Sequence, residues 1–252
     1  MSLQTKFEQF RQNIEPTSNQ LEQIIDSHTY LRQNILQKLY YVKNTILTGS
    51  YKRKTLIRPL NDVDVFVILD YTVGAFGNPS PQTVLNKLKQ DLSISYPNST
   101  IMQDKPCIVL DFSHCKFELT PAIEGVTWGS NYYEIPNSLN MSLWQKVDSP
   151  DILGEQLTQA NKQTPILIPL IKMMKRCKEK NSLKKLRSFE MELLAIQKLG
   201  NVRTYREGVI KLLEIYGWVG YADLNTIRNY DDSVFANYCR DILFGNDFPI
   251  ND

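Results

Sequence analysis

Two carboxylates, Asp62 and Asp64, stand two residues apart just ahead of the run Val65-Phe66-Val67-Ile68-Leu69. Side chains alternate faces along a β-strand, so the two acids project to one side while Val63 and Val65 project to the other. Two carboxylates on one face can share a divalent cation. The β-branched and aromatic residues that follow predict a strand buried on both faces, a rigid mount for ligands at its start. Upstream, Gly49-Ser50 combines a backbone free to adopt unusual dihedrals with a hydroxyl and N–H groups suited to phosphate oxygens. A phosphate cradle and a metal-binding pair this close in the chain describe a nucleotide-handling site. Between them lie Lys52, Arg53, Lys54 and Arg58, a charge run that is either a solvated face or a compensating field for a triphosphate.

The elements around this stretch must position it. Leu21, Ile24, Ile25, Leu31, Ile35 and Leu39 recur at helical spacing and predict an amphipathic helix over 16–44, with Thr17 and Gln20 forming a capping box at its start. Gly74, Gly77, Asn78, Pro79 and Pro81 mark a loop over 71–81, and Val84, Leu85, Leu88 and Leu92 a short helix over 83–92. Cys107–Phe112 and Lys116–Pro121 read as the arms of a β-hairpin turning at Ser113-His114-Cys115, with His114 facing solvent. In the second arm, Glu118 faces away from Phe117 and Leu119.

The series Gly49-Ser50-Tyr51-x-x-x-Thr55 followed by Asp62-Val63-Asp64 resembles the signature of the polymerase-beta-like nucleotidyltransferase superfamily, and within it the branch of cyclic GMP-AMP synthase, oligoadenylate synthase and the bacterial SMODS-type enzymes. The resemblance covers roughly residues 15 to 200. It implies a polymerase-beta-like α/β fold, a mixed-sheet catalytic lobe over 1–150 and a helical lobe over 151–252. It also implies a third metal carboxylate in a strand just before an apolar-Pro-Ala element. Phe117-Glu118-Leu119-Thr120-Pro121-Ala122 matches that element, with Glu118 where Asp is commoner, and Asp111 on the first arm is the competing candidate. Leu170-Ile171-Lys172-Met173-Met174 resembles the helix from which a lysine, here Lys172, reaches the donor triphosphate. Met174 stands where an aromatic is frequent. Ser188, in Leu186-Arg187-Ser188-Phe189, resembles a serine that also approaches the triphosphate, and is equally suited to be an N-cap.

Asp62, Asp64 and Glu118 form an all-oxygen donor set that favours Mg²⁺ or Mn²⁺ over zinc. With Gly49, Ser50, Lys172 and Ser188 on the nucleotide, the implied reaction is transfer from an NTP, ATP first with GTP or pyrimidine nucleotides as further candidates, to a hydroxyl of another nucleotide. The product is a cyclic or linear oligonucleotide messenger, with an antiphage role implied for a bacterial member and with a regulatory protein or an effector as partner. An RNA 3′ end, a protein acceptor or an inert nucleotide sensor are the alternatives.

Composition constrains the rest. A chain of 252 residues with 42% hydrophobic residues can build a substantial core, while a formal net charge of +2 gives no global basic field for coating nucleic acid. Cys107, Cys115, Cys177 and Cys239 are widely spaced with no C-x-x-C pair, which predicts reduced thiols in a cytoplasmic protein. Met1–Arg11 is polar rather than a signal peptide, and no apolar run reaches the ~20 residues that span a bilayer. Tyr133-Glu134-Ile135-Pro136 and the later Trp144 resemble the connector by which the family's catalytic sheet passes into its helical half, and the aromatics of this stretch, Trp128 and Tyr132 included, are expected to pack there. After it, Thr164–Glu179 reads as a helix that Pro169 should kink or restart, and 202–248 as further helix.

Overall fold

A computed structural model describes residues 1–70, 79–127, 130–183 and 186–250. Most of the expected loop, residues 71–78, and Trp128 lie outside these. The chain divides into two compact units, neither of them one continuous stretch: 17–53 with 60–152, and 1–16 with 54–59 and 153–252.

The first unit is a mixed sheet with helices on one face. Strands β1 (Val42–Leu47), β2 (Asp62–Leu69), β3 (Ile101–Asp104), β4 (Cys107–Asp111) and β5 (Lys116–Thr127) lie in the order β1-β2-β5-β4-β3. The pair β2–β5 is parallel and the others are antiparallel. Strand β6 (Ser130–Asn137) pairs with the far half of β5, and β7 (Asn140–Asp148) with β6. The stretch expected as a connector is therefore a β-hairpin, its aromatics distributed over two strands.

One face of this sheet is a core. Val63, Val65, Val67, Ile108, Leu110, Phe117 and Leu119 are buried there. Helix α2 (Ser18–Tyr30) lays the His28 ring against Phe117, and α4 (Pro81–Ser95) buries Val84, Leu85, Leu88 and Leu92 while packing on β3 and β4. The hairpin of β4 and β5 and the α4 stripe match their periodicities. The expected single helix over 16–44 is shorter: α2 passes into a π turn at Leu31–Ile35 and a 3₁₀ turn at Leu36–Lys38, and Val42 already belongs to β1. Its capping box is present, the Thr17 N–H donating to Gln20 Oε1 at 3.0 Å and the Gln20 N–H to Thr17 Oγ1 at 3.3 Å. Thr17→Ala should cost about 1 kcal/mol, read as a shift in the unfolding midpoint with an unchanged denaturant slope.

The second unit is helical. α1 (Leu3–Ile14), α6 (Leu167–Lys180), α7 (Ser188–Lys198), α8 (Tyr205–Ile215), α9 (Tyr221–Arg228), α10 (Asp232–Tyr238) and the residues of α5 (Pro150–Gln163) from Leu153 onward contribute to it. Residues 1–16, expected with the catalytic lobe, pack here because Phe7 and Phe10 of α1 enter an aromatic cluster. The ring centroid of Phe7 lies 5.4 Å from Tyr205 and 5.0 Å from Phe248, and that of Phe10 lies 4.6 Å from Phe244. Such rings bury large apolar areas and favour tilted and edge contacts at these separations. Pro169 neither kinks nor restarts α6. It occupies the helix's first turn, where the missing N–H has no intrahelical acceptor in any case, and the helix begins after Pro165 rather than at it. No helix among the described residues is long and apolar enough to cross a membrane.

Candidate active site

The parallel register of β2 and β5 sets Asp62 opposite Lys116 and Asp64 opposite Glu118. Residues paired across neighbouring strands share a face, so Asp62, Asp64 and Glu118 all point away from the apolar core. Farther along that face, Ile68, Ala122 and Tyr133 are roofed by Ile46, Phe66, Ile135 and Val147. β2 thus alternates buried and accessible residues through Phe66 and is enclosed on both faces only from Val67 to Leu69, a shorter double-sided stretch than expected. The acids occupy the accessible end.

The Gly-Ser turn is fitted onto this end. After β1, the Thr48 N–H donates to the Asp64 carbonyl at 2.8 Å, adding one rung to the β1–β2 ladder. The chain then turns into the short α3 (Gly49–Lys52), with Gly49 at φ +61°. A Cβ on Gly49 would lie 1.6 Å from Asp64 Oδ2 and 2.5 Å from its Cγ, so any side chain there collides with the carboxylate. Glycine is required twice, for the left-handed backbone and for the close approach. Ser50 follows half-buried in α3. Of the neighbouring cations, Lys52 forms an ion pair with Asp151, and the Arg58 side chain donates to the Gln12 carbonyl at 2.9 Å, so neither is a freely solvated charge.

Placing acids side by side has an electrostatic consequence. The Glu118 carboxyl is pushed up from the ordinary 4.5 to about 7, first by burial and then by the negative charges of Asp62, Asp64 and Asp104, with Lys116 opposing. Burial also raises the Asp62 carboxyl, again against Lys116. The nearby Cys107 thiol is pushed up to about 12 by burial and by the same acids. Among the described residues, no three His, Cys, Asp or Glu side chains stand gathered into a group that could by itself hold a metal ion. The donor chemistry nevertheless fits Mg²⁺ or Mn²⁺, since such ions accept one or two carboxylates and complete their shell with water and substrate phosphate oxygens. A cation here would also relieve the repulsion that raises Glu118.

The sign of that shift, set first by burial and then by repulsion, is testable. Between pH 4.5 and about 7 the folded protein holds a Glu118 proton that the unfolded chain has released. The stabilisation this gives is complete below pH 4.5 and is lost as pH rises through about 7. Metal-free Glu118→Gln should therefore be more stable than the parent at pH 8, by about 1–2 kcal/mol once the shift is reduced for the solvent that screens this partly exposed site, and equal to it at pH 4. Thermal unfolding with chelator at the two pH values measures this.

The competing acid, Asp111, lies opposite Lys116 in the β4–β5 register, with 3.8 Å between its Oδ2 and the lysine Nζ, whereas Val109 occupies the position opposite Glu118. His114 does not simply face solvent: it is half-buried, its Nε2 lying 3.0 Å from Ser27 Oγ and its ring stacked on Phe112. In the helical unit, Lys172 is only 8% exposed and its ammonium donates to Glu15 Oε1 at 2.7 Å. Ser188 is exposed at the first helical position of α7, and Arg187 holds the N-cap position instead. Sequence reasoning missed a buried cluster one turn from Lys172, in which Lys175 meets Glu192 at 2.6 Å and Thr55 Oγ1 at 2.8 Å. The only signal for it in the chain is Thr55 itself, within the Gly49–Thr55 series.

The comparisons with known proteins agree with this fold. A cyclic AMP-AMP-AMP synthase from Acinetobacter sp. is 26% identical over 252 aligned positions, covering 92% of this chain and 70% of that protein. A probable cyclic nucleotide synthase from Bacillus cereus is 27% identical over 227 positions, covering 77% of this chain and 66% of that one. The chain thus spans about two thirds of the length of these curated relatives. Escherichia coli MS115-1 CdnC, solved with ATP, superposes with a TM-score of 0.66 at 16% identity, covering 86% of this chain and 70% of that one. The same protein in its HORMA-deltaN complex gives 0.67 at 16% identity, covering 95% and 79%. Residues 1–161 match the Second Messenger Oligonucleotide or Dinucleotide Synthetase domain, and the chain belongs to that SMODS family of nucleotidyltransferases.

Proposed function

We propose that this nucleotidyltransferase joins nucleoside triphosphates, ATP among them, into a cyclic oligonucleotide. The observation that carries the reading is the β2–β5 register, which sets Glu118 beside Asp64 with Asp62 one step away on the same face, beneath a glycine that admits no side chain. Asp62, Asp64 and Glu118 would hold Mg²⁺ or Mn²⁺, which when bound activates the attacking hydroxyl and stabilises the leaving pyrophosphate.

The remaining roles fall to the chain's own groups. Gly49 lets the main chain approach the donor phosphates closely, and Ser50 offers them a hydroxyl. Lys172 and Ser188 are assigned to the triphosphate on the family resemblance, and Lys172 must exchange Glu15 for phosphate to act there. A protonated Glu118 cannot serve as an ionised ligand, so the apparent affinity for Mg²⁺ or Mn²⁺ should rise from pH 6 to pH 8, as binding to the metal-free site no longer has to displace that proton.

Related enzymes bear on the substrate. The Acinetobacter relative is named for an all-adenine product, and CdnC was solved with ATP and with a HORMA-type partner. For this chain we assign ATP as donor, a regulatory protein or product-sensing effector as partner, and antiphage signalling in a bacterial cytoplasm as the setting. The four cysteines are buried and free, in keeping with a reducing compartment. Incubating the chain with all four NTPs and Mg²⁺ or Mn²⁺, followed by mass spectrometry, tests the reading. Label transferred only into added RNA would contradict it.

A further inference from the structure

We infer that Thr55, held by Lys175 and Glu192, is a positioning residue for the proposed active site, fixing the chain at a point near midway between Ser50 and Asp62. The inference rests on the reading of those two residues as phosphate and metal ligands. It begins from burial. Thr55 and Glu192 are 0% exposed and Lys175 is 6% exposed. Within this buried set the Thr55 hydroxyl donates to Glu192 Oε1 at 2.6 Å, and Lys175 donates to the same oxygen at 2.6 Å, to Thr55 Oγ1 at 2.8 Å and to the Thr55 carbonyl at 3.2 Å. Both the side chain and the main chain of one residue are gripped.

Packing alone does not require this. The next two residues, Leu56 and Ile57, are buried apolar side chains, and valine would fill the space of Thr55 with one polar atom fewer. A buried ion pair is weak evidence for stability, since apolar substitutes often serve as well. What hydrogen bonds add is direction: they fix the rotation and register of the segment that carries them, whereas apolar contacts tolerate small slips.

That segment has unusual neighbours in the chain. Residues 54–59 belong to the helical unit, while residues 49–53 before them and 60–69 after them belong to the sheet unit and carry Gly49, Ser50, Asp62 and Asp64. Lys54, at the entry, takes φ +59°, a region that residues other than glycine avoid. At the exit, the Arg58 N–H donates to the Ile14 carbonyl at 2.7 Å. The connection between phosphate loop and acid strand is thus anchored at both ends, with Thr55 as its polar anchor. A slip there is transmitted along the covalent chain in both directions.

The test uses the full chain with Thr55→Val, which keeps the shape and removes the hydroxyl, and Thr55→Ser, which keeps the hydroxyl. Turnover of NTPs, thermal unfolding and amide exchange over residues 48–64 are read for each. Thr55→Val should lower kcat by about tenfold to a hundredfold, as small misplacements of reacting groups do, with faster exchange over 48–53 and unchanged exchange in β5. Thr55→Ser should restore kcat to within about threefold of the parent, the hydroxyl bonds being re-formed. Parental kcat in Thr55→Val, or a Thr55→Ser variant as slow as Thr55→Val, overturns the inference. If Thr55→Val does not fold, the double variant Lys175→Met with Glu192→Leu leaves Thr55 in place without its partners. It should show the same loss of kcat, and parental kcat there overturns the inference too. A parent chain that forms no product from NTPs instead removes the active-site reading, a failure distinct from these.

Discussion

Asp64→Asn is expected to lower nucleotidyl transfer by about a thousandfold, or about 4 kcal/mol of transition-state stabilisation, while leaving the chain folded. The substitution preserves shape, and the Thr48 N–H bond to residue 64 uses its main-chain carbonyl, which the change does not touch. What it removes is a negative charge beside Glu118. The Glu118 carboxyl should then drop part of the way from about 7, burial and Asp62 still holding it up, since Asp64 is one of the charges that raise it. Asp64→Asn should therefore be inactive yet, without metal at pH 8, at least as stable as the parent. A residue that merely supported the fold would move both quantities downward. Asp111→Asn provides the contrast. Its partly exposed pairing with Lys116 across 3.8 Å is worth at most about 1 kcal/mol, and its activity should stay within about threefold of the parent.

Gly49→Ala is the second large effect, and its cause is geometric. The backbone at φ +61° disfavours any L side chain by about 1–2 kcal/mol. The added methyl would also meet Asp64 Oδ2 at 1.6 Å, well inside any permitted contact. Either the turn lifts off β2 or the Asp64 carboxylate swings aside, and the Thr48–Asp64 rung beneath resists the first. Both outcomes displace a proposed ligand, and a displacement of about 1 Å is enough for roughly a hundredfold loss in kcat/KM. Ser50→Ala removes only a hydroxyl and should cost about tenfold, expressed as a higher KM for the donor nucleotide. Steady-state kinetics over a range of ATP concentrations separates the two. Parental kcat/KM in Gly49→Ala would mean the turn does not abut a working carboxylate.

The elements that announced themselves did so through period and residue type. The Asp62–Leu69 strand, the hairpin of β4 and β5, the α4 stripe and the Thr17–Gln20 box each follow from side chains within a few residues of one another. α1 carries the same kind of signal, Leu3, Phe7, Phe10 and Ile14 at helical spacing, but the reading of that stretch rests on its polar character alone. β3 has only four residues with no apolar run, and β6 and β7 gain their order from pairing along β5 rather than from their own pattern.

The site divides the same way. Asp62, Asp64 and Gly49 stand in one stretch with a shared rationale. Choosing between Glu118 and Asp111 requires the β2–β5 register, a property of two strands about fifty residues apart that periodicity does not encode. The Thr55–Lys175–Glu192 cluster joins residues separated by 120 and 137 positions, so only the folded chain reveals it.

The most direct test is the product itself. The parent chain, Asp62→Ala and Asp64→Asn are incubated side by side with ATP, GTP, CTP and UTP in Mg²⁺ or Mn²⁺, and products are identified by mass spectrometry. The expected result is a cyclic oligonucleotide with pyrophosphate release from the parent and, from either variant, product lower by about a thousandfold. Turnover by Asp62→Ala at the parental rate would contradict the assignment of the β2 acids to catalysis.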